Sequence, residues 1–281
     1  MNRSLLLTNC VSKGEQRVES GGSRSNRQPR GFIFASAVTF IVSVAATVYF
    51  CRSMCSEMEM PGGWTMSMMW TRMHGQTWID SATAFLLMWL AMMVAMMLPS
   101  ALPMFLSTRR SLAETGATNS RASMSLMASG YFATWLAVGA GVYALGIAFA
   151  ATVMRWESFS RAMPVLSAVA LIAAGAFQFT RWKMAGLLRC RSPLGCDTSC
   201  PVRETSFFLG CKQGAVCCVC CTPPMMILLT LGMMNPFVMV GVAIIIAAEK
   251  MLPRPEIVAQ LVGLATIITG IAIISEKLPI K

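Results

Sequence analysis

Charged side chains are scarce in this sequence. Asp, Glu, Lys and Arg together make up 12% of its 281 residues, against about 25% in a soluble domain. Those present gather in residues 1–30 and in short stretches between long apolar runs. That distribution excludes an ordinary water-soluble globule and indicates an integral membrane protein. A basic stripe with interleaved aromatics is also missing. Lys and Arg stand at the ends of apolar runs, where they orient helices in a bilayer, so the net charge of +11 does not point to nucleic acid. The sequence holds no glycine-rich phosphate loop, no G-x-S-x-G elbow, no H-E-x-x-H helix and no DKTGT stretch. Neither an enzyme nor an ATP-driven pump is therefore expected. Asp and Glu are absent from the apolar spans, which counts against a proton-coupled carrier.

What is present divides the chain. Residues 1–30 form a polar tail rich in Ser, Gly and Arg, expected to be disordered. The tail is too long and polar for a signal-peptide n-region, so the run after it reads as a retained anchor. Five apolar runs, 31–50, 81–106, 128–153, 162–180 and 257–274, are each long enough for a hydrocarbon core of about 30 Å. Residues 215–248 are harder, because as one straight helix they would reach about 51 Å. Cut at Asn235-Pro236, the second piece is too short to cross. We read one span over 224–248, kinked at Pro236 and approached from the cytoplasmic side by 215–221. The expected fold is thus all-α, a polytopic helical transmembrane bundle over residues 31–275, with six spans and seven as the alternative. Lys and Arg counts put the N-terminus, the second loop and the long fourth loop (181–221) in the cytoplasm, and the first loop (51–80) outside.

Methionine is the first anomaly. The chain has 25, and they crowd the outward loop and the second span. The loop carries Met66, Met68, Met69 and Met73 beside the only histidine, His74. In the second span, MWLAMMVAMMLPSALPM, Met88, Met92 and Met96 form an i, i+4, i+8 row, and Met93, Met97 and Met104 a second row beside it. The two rows cover roughly half the helix circumference. Thioethers select soft cations such as Cu(I), have no proton to lose, and persist as ligands where thiols oxidise. Methionine also fills irregular apolar gaps, and packing is the competing reading for the span.

Cysteine is the second. Eight of the 11 fall between Cys190 and Cys221, among them Cys217, Cys218, Cys220 and Cys221. In a reducing cytoplasm they stay thiols and form a candidate soft-metal site, with Cys190, Cys217, Cys220 and Cys221 as ligands. Paired C-x-x-C knuckles are missing, so the fit to a zinc ribbon is weak, although zinc is the main rival to copper at this cluster.

MWLAMMVAMMLPSALPM, FQFTRWKMAGLLRCRSPL, the cysteine element, GMMNP and AAEK occur in this order. Together they resemble the signature of a bacterial family of predicted metal-binding integral membrane proteins, some members of which are labelled copper chaperone. The resemblance spans about residues 76–253. It carries over to Met92, Met93, Met96, Met97, Pro99, Cys190, Pro193, Cys217, Cys220, Cys221, Met234 and Asn235. Three departures stand in the cysteine element: Val219 replaces a glycine, Thr222 replaces a tryptophan, and Pro223-Pro224 is atypical. The resemblance implies a multi-pass inner-membrane protein that binds Cu(I), exchanging it with a donor or acceptor protein. The other reading is an assembly scaffold whose methionine-rich helix packs on a partner membrane protein.

Overall fold

The computed structural model describes residues 30–53, 57–61, 63–71, 77–114, 120–191, 205–233 and 235–277. The polar tail up to residue 29, Met73, His74, Pro193 and Met234 lie outside the described residues. Eight α-helices are described: α1 (Arg30–Ser53), α2 (Trp78–Glu114), α3 (Ser120–Arg155), α4 (Glu157–Phe177), α5 (Arg181–Arg191), α6 (Thr205–Leu231), α7 (Pro236–Met251) and α8 (Pro255–Lys277). Six of them, α1, α2, α3, α4, α6 and α8, are long and apolar enough to cross a membrane. The chain is a multi-pass helical membrane protein.

Five of these helices coincide with the expected runs. The remaining one does not, and the difference moves the cysteines. The span expected over 224–248 is instead two helices, and the crossing segment is Ser206–Leu231 in α6. Three residues explain the break. Gly232 takes φ +106°, a left-handed conformation that ends α6. Asn235 caps α7, its side chain accepting from the backbone N–H groups of Phe237 (3.0 Å) and Val238 (3.4 Å). Pro236 then occupies the first turn, where its missing N–H costs nothing. Asn-Pro is therefore a helix start rather than a kink. The 16 residues of α7 extend about 24 Å, short of a full crossing. The cysteine-rich stretch expected as loop 181–221 is helical over α5 and over residues 205–221 of α6.

The segment between α1 and α2 holds a β-hairpin that the sequence reading did not foresee. β1 (Glu57–Met60) pairs antiparallel with β2 (Trp64–Ser67), Met58 opposite Met66 and Met60 opposite Trp64. A turn closed by Gly63 N–H donating to Met60 O (3.2 Å) joins them, with Gly63 at φ +69°. Apolar residues alternate along both strands, so Met58, Met60, Trp64 and Met66 share one face. That face packs on Ala150 and Val153 at the end of α3 and on Phe159 and Met163 of α4. The Trp64 indole N–H donates to Ser160 O (3.0 Å), and Ser160 Oγ donates to Pro61 O (2.9 Å).

Helices α3 and α6 pack most extensively, followed by α4 and α8. Small residues set the first of these crossings. A Cβ on Gly130 or Gly210 would collide with the carbonyl oxygen of Phe207 or Met127, and one on Gly214 would lie 2.9 Å from Tyr131 O. In lipid, where apolar surface gains little by leaving one hydrocarbon for another, such backbone approach is what holds helices together. It also delivers Tyr131 of α3 to the cysteine face of α6.

Candidate metal centre

On α6, Cys217, Cys220 and Cys221 stand at i, i+3 and i+4, so their side chains share one face. All three are buried, whereas Val219 between them is exposed and Cys218 is half-buried. Cysteine behaves as a small apolar residue, which is why the element sits near the middle of a span rather than in its aqueous approach. Helix α5 supplies the fourth thiol. Its buried residues Lys183, Leu187 and Cys190 follow i, i+4, i+7, one stripe turned toward α6, while Trp182 and Leu188 face outward. Gln213 of α6 donates to the Cys190 carbonyl (3.2 Å) and fixes the end of that stripe.

The sulfurs of Cys190, Cys217 and Cys220 lie within 4.8 Å of one another. Cys221 adds a sulfur 3.7 Å from Cys217 Sγ and 3.7 Å from Cys220 Sγ. Sulfurs shared by one central ion at about 2.3 Å stand about 3.8–4.0 Å apart. The spacing thus suits a thiolate-bound ion with side-chain movements of less than about 1 Å. All the donors are soft, which favours Cu(I) or zinc over hard cations. The Cys190 thiol, on α5 and outside the candidate spans, is pushed up to about 12, first by its hydrogen bond with Cys217. A metal ion binding there must displace a proton.

Two further residues converge on Cys217. The Tyr131 hydroxyl donates to its sulfur (3.0 Å). The Lys250 ammonium, from α7, also donates to it (3.0 Å). The same ammonium reaches Ser100 Oγ (3.3 Å) and Met97 Sδ (3.9 Å) on α2. Lys250 therefore joins the methionine helix to the thiol cluster.

Beside the thiols lies a buried ion pair. Lys183 Nζ is 2.7 Å from Glu249 Oε2, and both side chains are almost fully excluded from solvent, at 0% and 1% exposure. Gln178 donates to the other carboxylate oxygen (3.1 Å). Lys183 also donates to the carbonyl of Cys220 (2.5 Å). That carbonyl is available because Pro224, four residues on, has no N–H to fill it. The atypical proline pair thus opens a backbone acceptor at the metal centre and ties α6 sideways to α5. Glu249 stands just beyond the apolar run 224–248, from which acidic groups are absent, and is buried in α7. Glu249 and Lys250 belong to AAEK, and Gln178 and Lys183 to FQFTRWKMAGLLRCRSPL. Charges placed among apolar residues were the available signal.

Met88, Met92, Met93, Met96 and Met97 are all buried in the main core between helices, together with Met104, Met127 and Met225. The described methionines of the segment between α1 and α2 are largely turned inward. Met66 is buried against Met60, Ala150 and Val153, Met69 joins the main core, and Met68 is half-buried. Hairpin alternation turns the thioethers of Met60 and Met66 inward. At the far end of α7, Cys51 Sγ lies 4.0 Å from Met239 Sδ.

Helical spans enclosing a buried thiol cluster define a multi-pass membrane protein with a site able to hold a soft metal ion. A family model described as PpoB2, copper chaperone, matches residues 86–273, and the chain belongs to that family. The matched segment contains the α2 methionines, the thiol cluster, Lys183 and Glu249-Lys250, and begins after the hairpin. No curated protein and no solved structure matches the chain.

Proposed function

We propose that this protein binds Cu(I) in a bacterial inner membrane, N-terminus cytoplasmic, and passes it between a donor and an acceptor protein without catalysing a reaction. The observation that carries this reading is the convergence of Cys190, Cys217 and Cys220 sulfurs from two helices within 4.8 Å in a dry interior. Thiolates there hold the ion firmly. The buried thioethers of Met88, Met92, Met93, Met96 and Met97 offer a line of weaker soft sites along α2, ending where Met97 meets Lys250. Passage needs sites that release as well as bind, and neutral thioethers suit that need.

The scaffold reading needs the methionine helix to present its sulfur face to a partner. That face is buried among this chain's own helices. Zinc remains a chemical competitor at the thiols.

Anaerobic Cu(I) titration of the purified protein in detergent, against a chromophoric chelator, tests the proposal. Chelator-resistant, sulfur-coordinated copper is expected, and it should be lost when Cys190, Cys217 and Cys220 become Ala. Replacing Met92, Met93, Met96 and Met97 by Leu should lower the stoichiometry; an unchanged value removes α2 from the path.

A further inference from the structure

The charged groups at the centre are not equivalent. Lys183 is neutralised by Glu249 at 2.7 Å. Lys250 has no carboxylate partner among the described residues, and its ammonium faces Cys217 Sγ, Ser100 Oγ and Met97 Sδ. One fixed positive charge therefore stands uncompensated beside a ligating sulfur.

We infer that Lys250 is a specificity-determining residue, which biases the thiol centre toward a monovalent soft ion over a divalent one. This rests on the reading of the cysteines as a metal site. For any given number of thiolates, the complex of a monovalent ion carries one more negative charge than that of a divalent ion. Burial makes each unpaired charge costly. A cation held beside the sulfur stabilises the more negative complex more, and in a medium of low dielectric the difference is large. Lys183 cannot supply this, because its charge is already spent on Glu249. Lys250 acts through the field at the sulfurs and needs no contact with the ion.

The experiment compares affinities for Cu(I) and Zn(II), each measured by chelator competition on the purified full-length chain in detergent under anaerobic, reducing conditions. The chains are wild type, Lys250→Leu, Lys250→Gln and Lys250→Arg. The ratio of Cu(I) to Zn(II) affinity should fall by about tenfold or more in both neutral variants and stay within about threefold of wild type in Lys250→Arg. A loss of packing alone would weaken both ions together and leave the ratio in place. An unchanged ratio in Lys250→Leu and Lys250→Gln overturns the inference, as does a ratio that falls equally far in Lys250→Arg. If the wild-type chain binds neither ion, the underlying reading of the thiols fails, a result distinct from a bound ion with an unaltered ratio.

Discussion

Two neighbouring cysteines on α6 have different fates because a helix turns about 100° per residue. Cys217 is buried and accepts from Tyr131 and Lys250, whereas Cys218 is half-buried and turned away from the cluster. Cys217→Ala should therefore abolish tight Cu(I) binding, while Cys218→Ala should leave the chelator-competition curve within about twofold of wild type. The proton on Cys190 gives a second test at this scale. With its pKa pushed up to about 12, that thiol is protonated at neutral pH, and metal and proton compete for it. Cu(I) affinity should accordingly rise with pH from about 6 to about 8 and proton release should accompany loading, both measurable by competition titration and calorimetry in buffers of different ionisation enthalpy.

Among the elements, α5 and α7 carry the least apolar length and the most consequential charges. Their joint is the Lys183–Glu249 pair. Removing one member strands the other in a dry interior, at a cost of about 3–5 kcal/mol, whereas replacing both with apolar residues of similar volume is nearly neutral. Glu249→Leu should lower thermal stability in detergent markedly, and Lys183→Met combined with Glu249→Leu should restore most of it. The α3–α6 crossing gives a steric counterpart. Gly214→Val would drive its side chain into the Tyr131 carbonyl and Thr134, already 2.9 Å from an added Cβ, so the helices must part and the Tyr131–Cys217 bond with them. Lower stability and weakened copper binding should appear together.

At the scale of the whole molecule, what could be read from the sequence divides by the kind of force involved. Span existence depends on apolar length, so α1, α2, α3, α4 and α8 were visible directly. Residues 205–248 were not. There cysteines, Lys212 and Gln213 look polar, and only the capping geometry of Gly232, Asn235 and Pro236 shows where one helix stops and the next begins. Cys190, Cys217, Cys220 and Cys221 were legible as donors through their chemistry and the family signature. Tyr131, Lys183, Glu249 and Lys250 were not, since their roles come from helix crossings that bring distant residues together. The hairpin was not foreseen, because each of its four-residue strands carries only a brief apolar alternation. Orientation is a separate expectation, resting on Lys and Arg counts. Reporter fusions should find the N-terminal tail in the cytoplasm and the hairpin turn near Pro61 outside.

The position of Cys217 along α6 has a consequence for hand-over. Twelve residues separate it from Thr205 at the start of the helix, which is about 18 Å of helical rise. A water-borne acceptor cannot extend its own thiols that far into a close-set bundle. Cys190 is the second-last residue of the short α5, yet its sulfur lies within 4.8 Å of those of Cys217 and Cys220 and is no easier to reach. On the proposed function, an ion held by Cys190, Cys217 and Cys220 would thus be handed over only when α5 and α6 part.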